Sequence, residues 1–212
     1  MRPRILVINP NSNESVTDGL RQSLVDYADD VDIDCCTLSD GPFGIESDDD
    51  VAVAAGLVID RVASANDYDA CVIACYSDPG LADCRERFDK PVFGMQQSAL
   101  EAAAGIGRFG VLALSDESIT RHLAYIDRLA LGDRLAGELP LDITVDQSAN
   151  DPATLDRIVK VGQRLLDESG AEVLVLGCAG MAAHKKPAAE ALRVPVIEPV
   201  EAAVEAALAA TR

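Results

Sequence analysis

At 212 residues the chain can form one medium domain or two lobes of about 100 residues, and either can hold a real core. Its 36 acidic against 18 basic side chains leave a formal charge of −18, which repels phosphate and excludes nucleic acid and anionic membrane surfaces as partners. Six cysteines without a C-x-x-C pair are too sparse for a disulfide framework, and no apolar run approaches the roughly 20 residues that span a bilayer; with no signal segment ahead of the first strand, a cytoplasmic protein with reduced thiols is expected.

Arg4 to Ile8 is a β-rich run that stops at the polar cluster Asn9-Pro10-Asn11-Ser12-Asn13, where Ser12 or Asn13 can cap a helix from about Glu14 to Tyr27. Val31 to Thr37 alternates as a second strand, and Gly41-Pro42-Phe43-Gly44 is a loop. Ser47 with Asp50 three residues on opens a helix through about Ala65. Ala70 to Cys75 is a third strand, Pro79 suits the first turn of a helix reaching about Phe88, Pro91 to Phe93 is a fourth strand, and Ser98 to Ala104 is helical. The second half repeats this order. Phe109 to Leu114 is a strand, Ser115 caps a helix to about Leu131, Leu141 to Val145 is a strand, and Asp151-Pro152 opens a helix to about Glu168. Glu172 to Gly177 is a strand, followed by a helix near Lys185 to Leu192, a short strand at Pro195 to Ile197 and an alanine-rich terminal helix. Strands alternating with helices imply parallel sheets with right-handed crossovers.

Three features recur at an offset of 103 or 104 residues. Cys75 and Cys178 are 103 residues apart, Pro91 and Pro195 are 104 apart, and the strands beginning at Arg4 and Arg108 are 104 apart. The chain is therefore read as an α/β protein of two similar lobes related by an internal pseudo-twofold duplication. Each lobe is a four-stranded, mostly parallel sheet flanked by helices. Residues 1–106 form the first and 107–199 the second, with the helix at about 200–212 free to pack back on the first.

Ligands of open α/β sheets sit beyond the carboxyl ends of the strands, where Asn9, Cys75, Ser115 and Cys178 all fall. Two thiols facing one cleft suit removal of a proton from one face of a carbon and delivery of one to the other. Each cysteine precedes a turn whose backbone N–H groups, on Tyr76 and Ser77 and on Ala179 and Gly180, can favour a thiolate or hold a developing enolate oxygen. Asn9 and Ser12 are candidates to bind substrate carbonyl or N–H groups, or else to serve only the loop and the helix cap. Phe43 and Ile45 either face the substrate's side group or pin their loop to the core. Ser77 and Asp78 divide between substrate contact and turn chemistry. Cys35, Cys36, Cys71 and Cys84, lacking counterparts at the repeat offset, read as small buried fillers. His122 and His184 lack ligand spacing to the cysteines, so no metal is expected, and with no phosphate loop in sight no cofactor either.

Ile8-Asn9-Pro10-Asn11-Ser12, Gly44-Ile45-Glu46-Ser47, Ala74-Cys75-Tyr76-Ser77-Asp78-Pro79-Gly80-Leu81 and Leu176-Gly177-Cys178-Ala179-Gly180-Met181 together resemble the aspartate/glutamate/hydantoin racemase superfamily, and more closely its hydantoin racemase branch. The resemblance implies cofactor-independent racemisation of a 5-substituted hydantoin or of allantoin, with Cys75 and Cys178 as the two bases. Amino-acid racemases of the superfamily carry Cys-Asn-Thr and Cys-Thr-His where this chain has Cys75-Tyr76-Ser77 and Cys178-Ala179-Gly180. The paired threonines expected at the end of the Val111 strand are replaced by Ala113 and Leu114, leaving Ser115 as the nearest hydroxyl, and Gln97 stands where an acidic residue is usual. Two rivals remain at this point: a cysteine-dependent isomerase of a small dicarboxylate such as maleate, and a non-catalytic two-lobed small-molecule binder. A small-molecule substrate is the implied partner, and a homo-oligomer is compatible with the sequence.

Overall fold

The apolar runs become the centres of two sheets. In the computed structural model, which describes residues 2–211, β1 (Arg4–Asn9), β2 (Asp32–Thr37), β3 (Ala70–Ile73) and β4 (Val92–Gly94) form a sheet in the order β2-β1-β3-β4. Strands β5 (Phe109–Ala113), β6 (Leu135–Pro140), β7 (Val173–Leu176) and β8 (Val196–Ile197) form a second, in the order β6-β5-β7-β8. The two orders match position for position, which is the duplication made visible. Every strand pairing is parallel. The inner strands β3, β5 and β7 are buried along their whole length, as strands covered on both faces must be, whereas edge strand β6 is only half-buried.

Helix starts follow local chemistry. Asn13 caps α1 (Glu14–Ser23) by accepting from the Ser15 amide, and the chain then tightens into a 3-10 turn over Leu24–Tyr27. The Ser47 hydroxyl and Asp50 carboxylate exchange bonds with each other's backbone amides at the head of α2 (Asp48–Ala63), a reciprocal cap of the order of 1 kcal/mol. The remaining helices are α3 (Leu81–Arg87), α4 (Met95–Ile106), α5 (Asp116–Arg128), α6 (Val145–Asn150), α7 (Thr154–Ser169), α8 (Lys185–Leu192) and α9 (Pro199–Thr211). None is long and apolar enough to cross a membrane among the described residues.

Three local expectations need correction. The strand expected at Leu141–Val145 lies earlier, at Leu135–Pro140. The Ile143-Thr144-Val145 triplet has β-forming side chains, but Thr144 and Gln147 form a capping box that turns the chain into α6. Ser115 does precede α5, yet its side chain makes no capping bond. Pro79 lies outside α3: Gly80, at φ 73°, makes the left-handed turn before Leu81, a conformation that glycine adopts without steric cost.

One large apolar core runs through both sheets. Val7, Val72, Met95 and Leu100 of the first lobe belong to the same buried cluster as Phe109, Leu112, Val175 and Leu176 of the second. Helix α9 returns across the molecule to pack on β3, β4 and α4, and α4 also touches β7. A smaller cluster under α2 and α3 holds Leu6, Ile8, Cys71 and Cys84.

Candidate active site

Both motif cysteines follow an inner strand, β3 or β7, at its carboxyl end, and both line one cavity between the lobes. Its empty volume is about 430 Å³ counting the open solvent at its mouth. The first lobe contributes Asn11, Val16, Ile45 and the Ala74–Ser77 turn; the second contributes Leu114, Ser118, Arg121, His122, Val145 and Gly177–Ala179.

The loop carrying Cys75 is held from outside its own segment. Helix α4 begins after Gly94, which has no side chain to cap it. The Asp78 carboxylate fills the space where a Cβ on Gly94 would lie, and it accepts the amides of Gln96 and Gln97, both at 2.9 Å. Asp78 thus caps α4 from a distance and takes a further bond from the Tyr125 hydroxyl at 3.2 Å. Burial raises its carboxyl to about 6 against these donors. Holding Asp78 fixes Cys75, three residues before it.

In the second lobe, Cys178 opens a 3-10 turn over Ala179–His184. Its sulfur accepts from the Gly180 amide at 3.4 Å and lies 3.4 Å from Ser148 Oγ. Ser148 Oγ also lies 2.6 Å from Val145 O, which holds its one hydrogen while Cys178 is a thiol; that hydrogen can turn to the sulfur when Cys178 becomes a thiolate. A Cβ on Gly180 would collide with Ser148 Oγ, which accounts for glycine at that position.

Burial dominates the thiol electrostatics. Desolvation pushes Cys75 up to about 12, reinforced by negative charge on Cys178, while the Ser77 amide and the Arg121 guanidinium pull it down. Cys178 is also raised by burial, against the Ser148 hydroxyl and the Gly180 amide. Backbone donors do point at the sulfurs, but they do not make a resting thiolate.

The asparagine run of the first loop is mostly a brace. Asn9 is fully buried and donates to Asn11 Oδ1 and Thr17 Oγ1, both at 3.0 Å, while Asn11 Oδ1 also receives the Asn13 amide. The residue so presented to the cavity is Asn11, not Asn9. Ser12 is not among the lining residues and gives its amide to Pro42 O. Phe43 is 60 % exposed and lies away from the cavity, whereas Ile45 does line it. Ser115 lines a neighbouring groove; the hydroxyl that reaches the cavity is Ser118, one turn further on. Tyr76, Ser77 and Ala179 line the cavity, and Gly180 touches it only through the Cys178 sulfur. Gln97 bonds Arg85 and Glu101 outside it.

Sequence reasoning passed over one cluster. Ser118, Arg121 and His122 sit at i, i+3 and i+4, one face of α5, and that spacing was the available signal. Buried His122 pairs its Nδ1 with Glu138 Oε1 of β6 at 2.6 Å and meets the Tyr76 ring edge-on, centroids 5.0 Å apart. Arg121 reaches across the lobes to Ser77 Oγ and to Asp48. Two more bonds cross the rim: Val145 N to Glu46 Oε1 at 2.9 Å, and Asn13 Nδ2 to Asp146 Oδ1 at 3.1 Å.

Twin parallel sheets with a cysteine at the same strand end in each, both facing one cavity, define a two-lobed α/β scaffold with a shared site. Residues 5–207 match the Asp/Glu/Hydantoin racemase family, and the chain belongs to it; it is a racemase. A hydantoin racemase of Paenarthrobacter aurescens is 36% identical over 96% of this chain and 89% of its own length. The solved structure of an allantoin racemase from Klebsiella pneumoniae superposes with a TM-score of 0.92 at 28% identity, covering 98% of this chain and 86% of that one. A glutamate racemase from Francisella tularensis shares the fold at a TM-score of 0.70 and 16% identity, covering 99% of this chain and 80% of that one.

Proposed function

We propose that this racemase inverts the stereocentre of a 5-substituted hydantoin or of allantoin, without a cofactor, by passing a proton between Cys75 and Cys178. One thiolate removes the C5 proton, the negative charge spreads onto the adjacent ring carbonyl as an enolate, and the opposing thiol delivers its proton to the other face. Each turnover leaves the two cysteines with exchanged protonation states, so the next substrate of opposite hand finds the site ready. The observation that carries this reading is that both sulfurs line one cavity from equivalent positions in the two halves. The relatives that share most of the chain, a hydantoin racemase in sequence and an allantoin racemase in structure, fit the same substrate class.

Burial holds both thiols protonated at rest, so the form that starts a turnover is the one in which one cysteine has released its proton to solvent before substrate covers the cavity. The Ser77 amide on Cys75 and the Gly180 amide on Cys178 are the donors that steady charge on sulfur. The test is racemisation of enantiopure allantoin and 5-substituted hydantoins in heavy water. Deuterium should enter C5 as optical rotation decays, and Cys75→Ser or Cys178→Ser should slow racemisation by about 10²–10⁴-fold, the usual worth of an acid–base group. Racemisation that keeps the C5 proton, or that survives both substitutions, would overturn the proposal.

A further inference from the structure

The cavity wall is largely apolar, with Val16, Ile45, Ala74, Leu114 and Val145 among its lining, yet it holds the guanidinium of Arg121. Among the described residues that line it, Arg121 is the one permanent cation, since His122 is already matched by the buried Glu138. The Arg121 side chain is 22 % exposed, whereas its carboxylate partner Asp48 is 87 % exposed. Water screens an ion pair of that kind, so Asp48 neutralises the guanidinium weakly. Two nitrogens are engaged, Nε by Ser77 Oγ at 3.2 Å and Nη1 by Asp48, and Nη2 has no protein partner among the described residues. The bond to Ser77, two residues after Cys75, holds this half-satisfied cation beside the sulfur and so beside the carbon on which it acts.

From this placement we propose that Arg121 selects for a carboxylate on the substituent of the stereocentre, making acidic 5-substituted hydantoins the preferred class. The inference rests on the hydantoin racemase reading and goes beyond it in naming the substituent. The ring's own oxygens are neutral acceptors that backbone amides can serve. A planar cation in a partly desolvated wall is best matched by an anion, which can accept from the unpartnered Nη2. The chain's charge of −18 opposes approach of an anion from afar, but at ionic strengths near 0.15 M it is screened over about 8 Å, and the guanidinium governs at contact.

The test compares enantiopure hydantoin-5-acetate, its uncharged amide and 5-isobutylhydantoin by polarimetry. The wild type should favour the acetate over the amide by about tenfold or more in kcat/KM, mainly through KM, as expected for a buried charged contact. Arg121→Leu should collapse that preference, and Arg121→Lys should restore part of it, keeping charge but not the planar guanidinium. An acetate-to-amide ratio near one in the wild type would overturn the inference. So would an equal fall in kcat on all three substrates in Arg121→Leu, which would instead place the guanidinium at the enolate. No turnover of any of the three or of allantoin, by protein with a native circular dichroism spectrum, would overturn the proposed hydantoin-type substrate and this inference with it.

Discussion

The two cysteines occupy equivalent places in the two halves, but their surroundings have diverged. Cys75 sits on an irregular loop pinned by Asp78 to a helix of the same lobe, and the cation acting on it is Arg121, lent by the other lobe. Cys178 heads a tight 3-10 turn, is 7 % exposed, and is flanked by the Ser148 hydroxyl, with the acids Glu46 and Glu198 acting on it at longer range. Duplication therefore preserved where the sulfurs are and let the means of stabilising charge on each drift apart. A reaction symmetric in outcome can run on asymmetric parts, because only the position of the two groups across the reacting carbon must match.

The largest effect that would break or sharpen this comparison comes from the single cysteine variants. With one sulfur left, the enzyme can lift and return a proton on one face only. Cys75→Ser and Cys178→Ser should therefore each wash deuterium into a single enantiomer with retention, and the two variants should label opposite hands, as read by chiral chromatography with mass spectrometry. Labelling of the same hand by both would put the two sulfurs on one side of the substrate.

A smaller effect is expected from Ser148→Ala. The hydroxyl lowers the Cys178 pKa, so its loss raises that pKa further and moves the acidic limb of the kcat/KM profile to higher pH. About two- to tenfold should be lost near neutrality, the size of one hydrogen bond. A profile that does not move would mean that Ser148 only packs against Gly180.

The smallest concerns stability beneath the second thiol. Glu198 caps α9 through the Val200 and Glu201 amides, yet burial raises its carboxyl from 4.5 to about 7. A carboxyl raised on folding binds more protons in the native than in the unfolded chain, so its contribution is fully present below about 4.5 and is lost as pH rises through about 7. Glu198→Gln should flatten the fall in urea midpoint between those two pH values. An unchanged slope would assign the fall to other carboxylates.

Much of this architecture was legible from the chain because its strands are apolar runs ended by polar loops, and because the repeat offset ties Cys75 to Cys178. The error at β6 has a physical cause. Leu-Ala-Gly-Glu-Leu-Pro has no β-branched residue and carries a glycine and a proline, features tolerated on a sheet edge, while the better-looking Ile143-Thr144-Val145 was claimed by a helix cap. In the cavity, residues adjacent to the cysteines in sequence could be named in advance, and so could Ile45. Arg121, His122, Ser118 and Val145 were harder to name, because α5 and α6 reach the cavity only once the lobes pack; spacing puts the three α5 residues on one face but does not say that the face turns toward a ligand. Asn9 misled for a related reason: the side chain at the strand end turned inward to brace the loop, and Asn11, two residues on and itself buried, took the position that lines the cavity.

The apolar interior that passes without a break from one sheet to the other has its own implication. A wide swing of one half from the other would expose that shared interior, so the rim over the cavity, bonded at Glu46–Val145 and Asn13–Asp146, is the part expected to yield as substrate comes and goes. The ancestral copies have also forfeited their independence: neither could be excised or traded as a cassette without tearing the tissue they now hold in common.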